Sequence, residues 1–145
     1  MRGGTDQAFF VQTLHLNQTN VCRVKCKFCA FAVTQKQGGA YTLTGDDRVE
    51  DALCLFKVTA STEIYMVNGE NPHVGFDFYV DTIRALHEAM PDVHLKCYTA
   101  SEIHHMTKLS GLTHEQVLVE LKAAGLGSLP GGGAEVFADR VRRLI

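Results

Sequence analysis

Short apolar runs alternate with amphipathic stretches four times along the chain, at roughly thirty residues per unit. No other feature restricts the fold as much. Val11–Leu16, Glu63–Val67, Val93–Tyr98 and Leu126–Leu129 read as strands. Thr44 opens the first helix, with Asp46 and Asp47 at its positive end and Val49, Ala52, Leu53 and Phe56 as the buried stripe. Asp77 is expected to cap a second helix that carries Tyr79, Ile83, Leu86 and Met90 on one face and stops at Pro91. A short helix covers Ser101 to Leu109 and ends at Gly111. Thr113 and Gln116 then form a capping box, with Leu112 stapled to Val117 and Gly125 suited to the helix end. A last helix starts at Ala134. Repeated strand–helix units imply parallel strands joined by right-handed crossovers. An open doubly wound sheet and a barrel of the β/α kind both satisfy this. A complete eightfold barrel needs roughly 200 residues or more, so the 145 residues here amount to about half of one. In both architectures the chemistry sits at the carboxyl ends of the strands.

With 46% hydrophobic and 21% charged residues the chain is an ordinary globular sequence, and disorder is excluded. A net charge of -2 argues against a nucleic-acid partner. No apolar run approaches a membrane span, and the first residues lack the apolar core of a signal peptide. The expected location is the cytoplasm. Five cysteines in such a chain do not suggest a disulfide framework. Cys54 and Cys97 stand alone among apolar neighbours and are expected in the core.

Cys22, Cys26 and Cys29 are different. They fall within eight residues in the loop after the first strand, spaced C-x3-C-x2-C. Three thiolates on one loop can converge on a metal centre. Zinc normally takes four protein ligands, and no fourth cysteine is near; His15 would have to reach back from a strand. An iron–sulfur cubane held by three cysteines leaves one iron open to a ligand. The spacing alone leaves zinc, a cluster and no metal open. Arg23, Lys25 and Lys27 would partly offset the charge of a cluster.

This motif, with Phe28 before its last cysteine, resembles the signature of the radical S-adenosylmethionine superfamily. The segments His15 to Cys22, Cys29-Ala30-Phe31 and Ser128 to Glu135 resemble the menaquinone (futalosine pathway) and deazaflavin branch. Thr99 to His105 and Lys108 to Leu112 are most similar to the aminofutalosine synthases. The resemblance implies an α/β fold of the partial (β/α) barrel type, about four βα units. Residues 1–145 would then be the N-terminal part of a radical S-adenosylmethionine core domain, truncated from a longer protein.

It also implies a transferase of menaquinone biosynthesis. Cys22, Cys26 and Cys29 would hold a [4Fe-4S] cluster whose open iron is chelated by S-adenosyl-L-methionine. The resulting 5′-deoxyadenosyl radical would add to the small-molecule substrate 3-[(1-carboxyvinyl)oxy]benzoate and give aminofutalosine. A low-potential donor such as flavodoxin or ferredoxin would supply the electron. Two other activities of the branch stand beside this one, dehypoxanthine futalosine cyclase and the deazaflavin synthase subunit. A non-catalytic cluster- or zinc-binding fragment is the rival expectation for this stretch by itself.

Asn68, Gly69 and Glu70 correspond to the family's turn after the second strand, which meets the methionine amino group; the other reading is a plain turn with a solvated glutamate. Phe28 packs either on adenine or on the barrel. Glu102, and in a similar way Glu135, either contacts the ribose hydroxyls or lies exposed in a helix's first turn. Of His104 and His105, adjacent on a helix, at most one can face the site. Asn71 stands where the family usually has histidine.

Overall fold

The computed structural model describes residues 8–132 and 136–144. Strands β1 (Thr13–His15), β2 (Glu63–Met66) and β3 (His94–Cys97) form one parallel sheet in the order β1-β2-β3. Leu14 pairs with Ile64, and Ile64 with Leu95, so the apolar side chains line up on one face. Ile64, Met66, Leu95 and Cys97 are buried there against the helices.

The helices are α1 (Gly45–Phe56), α2 (Phe76–Ala89), α3 (Ala100–Ser110), α4 (His114–Ala123) and α5 (Asp139–Arg142). α1 packs on α2, α3 packs on α4, and α2 also meets both α3 and α4. Tyr79, Ile83 and Leu86 of α2, Ile103 and Met106 of α3, and Val117 and Leu121 of α4 complete the core. The starts of α1, α3 and α4 carry complete capping boxes, Thr44 with Asp47, Thr99 with Glu102 and Thr113 with Gln116. Each box satisfies donors that a helix start leaves free. No helix among the described residues is long and apolar enough to cross a membrane.

Several expectations need correction. β1 is shorter than Val11–Leu16, because its partner begins only at Glu63. Gly75, not Asp77, occupies the cap of α2; Asp77 lies in the first turn, where its charge still meets the positive end. Leu53 and Cys54 face solvent, because the inward face of α1 carries Arg48 and Ala52 instead. Cys97 is in the core as expected.

The fourth strand is reduced to one bridge, Ser128 to Lys96. Gly125, at φ +115°, turns the chain where any side chain would strike the ring of His87, with a Cβ only 2.4 Å from it. The N–H groups of Gly127 and Ser128 then both reach the same carbonyl, Leu95 O, at 2.9 and 3.1 Å. Pro130, which lacks an N–H, soon follows. Among the described residues the last helix spans Asp139–Arg142 with none of its residues buried; its expected start at Ala134 lies outside them.

Candidate functional site

The loop after β1 is built on a buried polar frame. Thr19 Oγ1 donates to Tyr41 O at 2.9 Å; Asn20 donates to Gly39 O and accepts from Tyr41 N, both at 2.9 Å. Cys22 N donates to Val33 O, and Val33 N to Asn20 O, each at 3.0 Å. These bonds close a ring of backbone around the three cysteines. Cys29 N bonds Cys26 O at 3.0 Å, and Lys25 holds φ +54°, an uncommon conformation for a residue with a side chain.

Cys22 and Cys29 are half-buried and Cys26 is exposed. Cys26 and Cys29 border an open cleft of about 430 Å³ with Lys25, Val33 and Gln37. Partial desolvation, then the charges of Cys22 and Cys29, push the Cys26 thiol above its ordinary value. Among the described residues no three His, Cys, Asp or Glu side chains gather as a single ion would require. The donor set nevertheless has the chemistry for a cluster: three thiols on one loop, near enough for their charges to interact, and each corner of a cubane takes a different thiolate.

The end of β2 lies directly against this loop. A Cβ on Gly69 would sit 2.3 Å from Val21 O and 3.0 Å from Cys22 Cβ, so only glycine fits. Gly69 N donates to Thr19 O at 2.9 Å, and Arg23 N donates to Glu70 O at 3.0 Å. The segment Asn68-Gly69-Glu70 is therefore not a solvated turn; Gly69 and Glu70 are buried.

Glu70 Oε1 accepts from the Ser101 hydroxyl. Its Oε2 lies 3.1 Å from Arg23 Nε, yet that N–H is aimed at His105 Nδ1, 3.3 Å away. Glu70 Oε2 is thus buried beside a positive charge but makes no hydrogen bond. Because His105 Nδ1 accepts, its Nε2–H is the donor to Asn71 O at 3.0 Å. His105 is the inward member of the histidine pair. His104 is exposed and stacks on His114, ring centroids 5.3 Å apart.

Glu102 is 3% exposed. Its Oε1 accepts from Asn68 N at 2.9 Å and Asn68 Nδ2 at 3.2 Å, and its Oε2 from Thr99 N and Oγ1, both at 2.8 Å. Burial nonetheless outweighs these four donors and raises its carboxyl to about 7. Here it ties α3 to the end of β2. Asn71, also buried, donates to Thr19 Oγ1 at 3.2 Å and Thr42 Oγ1 at 2.9 Å, an anchoring task for the residue that replaces histidine. Phe28 is 54% exposed. Glu135 lies outside the described residues.

Gln18 and Tyr98 complete the frame, although neither is a candidate site residue by sequence. Tyr98, fully buried at φ +63°, has its hydroxyl 2.9 Å from both Gln18 Oε1 and Tyr79 O, two acceptors that share its one proton. Gln18 passes the connection on to Thr82 Oγ1. The polar run Gln18-Thr19-Asn20 after a strand was the available clue, since buried amides need partners.

A parallel sheet with helices on its apolar face and a cysteine loop at its carboxyl edge has the architecture of a partial (β/α) barrel. The fold is similar to the FeFe-hydrogenase maturase HydG from Carboxydothermus hydrogenoformans, with a TM-score of 0.52 and 17% identity over 84% of this chain and 36% of that one. It is also similar to methylornithine synthase (PylB), with a TM-score of 0.54 and 11% identity over 84% and 44% of the two chains.

No protein-family model matches the sequence. It is 42% identical to the aminodeoxyfutalosine synthase of Thermus thermophilus over 96% of this chain, and 41% identical to that of Streptomyces coelicolor over 99%. It is 34% identical to the 5-amino-6-(D-ribitylamino)uracil--L-tyrosine 4-hydroxyphenyl transferase of Methanococcoides burtonii over 97%. The chain spans 37% of the length of each synthase and 38% of the transferase. Over that shared length it is a homologue of these synthases and transferases.

Proposed function

We propose that this chain supplies the cluster-binding and S-adenosyl-L-methionine-binding part of a radical transferase of the aminofutalosine synthase kind. The observation that carries the reading is the contact of Gly69 with Val21 and Cys22, which lays the glutamate-bearing strand end along the cysteine loop.

Cys22, Cys26 and Cys29 would hold the [4Fe-4S] cluster. When bound, that cluster supplies the single electron that breaks the sulfonium bond of S-adenosyl-L-methionine. Glu70 offers a buried carboxylate oxygen without a hydrogen-bond partner, suited to an ammonium group. Asn68 and Gly69 offer backbone carbonyls beside it. Glu102 serves by holding Asn68 in place, and Phe28, exposed beside Cys29, is free to cover an adenine ring. Lys25, which lines the cleft, would partly offset the negative charge of the cluster.

The overall reaction of this reading transfers the 5′-deoxyadenosyl group to 3-[(1-carboxyvinyl)oxy]benzoate, with flavodoxin or ferredoxin as donor. The higher identity to the synthases than to the tyrosine-using transferase favours it. Anaerobic reconstitution with iron and sulfide should yield brown protein that releases 5′-deoxyadenosine from S-adenosyl-L-methionine under a strong reductant. Colourless protein with stoichiometric zinc overturns the reading. Product analysis with each substrate of the branch decides the member; absence of a benzoate-derived adduct rejects the synthase.

A further inference from the structure

Arg23 and Glu70 carry opposite charges on adjoining segments whose backbones are already joined, Arg23 N donating to Glu70 O at 3.0 Å. Arg23 Nε lies 3.1 Å from Glu70 Oε2 and 3.3 Å from His105 Nδ1. The carboxylate is the nearer acceptor and the charged one. The single Nε–H nevertheless points at the imidazole. The two acceptors are only 3.8 Å apart, so a small rotation of the guanidinium would carry the proton from one to the other.

His105 dictates that choice. It is 3% exposed, and its Nε2–H donates to Asn71 O at 3.0 Å, which leaves the lone pair on Nδ1. A buried acceptor without a donor is costly, and Arg23 supplies the donor. Ser101, one turn earlier on α3, donates its hydroxyl to Glu70 Oε1 and holds the carboxylate from the other side. Glu70 Oε2 is left buried beside a positive charge with no hydrogen bond. Buried polar atoms without partners are rare. This one is maintained by three segments acting together: the cysteine loop, the end of β2, and α3.

We infer that His105 is a positioning residue: it holds the Arg23 N–H off Glu70 and so keeps the Oε2 oxygen open for an incoming ammonium group. This deepens the function proposed above and rests on the role given there to Glu70. Without an acceptor at position 105, the Arg23 N–H turns onto Oε2 and occupies the place the ligand needs.

The test measures, by calorimetry at matched iron content and without reductant, the affinity of the reconstituted protein for S-adenosyl-L-methionine and for its analogue lacking the amino group. His105→Leu should weaken S-adenosyl-L-methionine about tenfold, as the loss of one charge-assisted hydrogen bond predicts, and leave the analogue unchanged. His105→Asn, which keeps an acceptor, should bind both as the unaltered protein does. In an Arg23→Met background, where no N–H competes, His105→Leu should change neither affinity. A folded His105→Leu protein that binds S-adenosyl-L-methionine as before overturns the inference. So does one that loses both compounds equally, the mark of a merely structural role. Should His105→Leu fail to fold, Arg23→Met alone decides: unchanged or tighter S-adenosyl-L-methionine supports the inference, and a loss confined to the amine-bearing compound overturns it. Glu70→Gln separates this inference from the function proposed above. If it binds as well as the unaltered protein, the role given to Glu70 fails and this inference with it. If it weakens binding while His105→Leu does not, this inference alone fails.

Discussion

Gly69 lies so close to Val21 that a β-carbon on it would stand 2.3 Å from the Val21 carbonyl oxygen. The end of β2 and the cysteine loop are in backbone contact there, and the residues on either side inherit their positions from it. Glu70 is carried to Arg23, and Arg23 to His105. Gly69→Ala must push the two segments apart. We expect a loss of about 1–3 kcal/mol of stability, as for other overpacked sites, and a protein that retains little iron after reconstitution. Urea unfolding and iron assay check both; normal iron loading in the variant would separate the contact from the cluster.

The cysteines divide into two groups. Cys22→Ala, Cys26→Ala and Cys29→Ala should each abolish iron and sulfide uptake. Cys54→Ala, on the exposed side of α1, should load iron as the unaltered protein does. Cys97→Ala should also load, at a cost of about 1 kcal/mol for the buried thiol it removes. Iron-to-protein ratios test the set, and a requirement for Cys54 would contradict it.

Glu102 makes stability depend on pH. Its folded-state value of about 7 lies above the ordinary 4.5, so the folded chain binds the proton more tightly than the unfolded one. The resulting stabilisation is complete below about pH 4.5 and lost as pH rises to about 7. At about 1.4 kcal/mol per pH unit, the change amounts to about 3 kcal/mol. Urea midpoints of the protein and of Glu102→Gln should diverge accordingly, the glutamate form losing ground between pH 4.5 and 7.5. A constant difference across that range would show that the group does not titrate there.

The two adjacent histidines should behave unequally. His105→Ala removes a buried acceptor for Arg23 and a buried donor to Asn71 O. The expected loss is about 1–3 kcal/mol. His104→Ala touches only an exposed stacked pair and should stay within about 0.5 kcal/mol. Chemical denaturation of both variants measures the contrast, and equal effects would remove His105 from the frame of the site.

Much of the fold was legible because its signals are local. Thr44, Thr99 and Thr113 cap helices through residues three places on, and Gly111 ends one by taking φ +74°. Leu53 lies outside the core because a helix stripe read from hydropathy cannot anticipate a buried Arg48 that donates to Asn17 O, and Cys54 does so because apolar sequence neighbours do not fix which face of a helix a residue takes. The fourth strand misled because Leu126–Leu129 has strand composition, while its hydrogen bonds depend on where Leu95 O points.

The sequence alone determined the order of the first three strands and the helices that follow them, the capping boxes of α1, α3 and α4, and the gathering of three thiols on one loop, since each depends on residues within a turn or two of one another. Only the tertiary structure decided that Glu70 is buried without a hydrogen bond for Oε2, that Glu102 fastens Asn68, and that His105 rather than His104 turns inward. Those outcomes join residues from about thirty to more than eighty positions apart. They exist only once the parallel sheet has brought its carboxyl ends to a common edge.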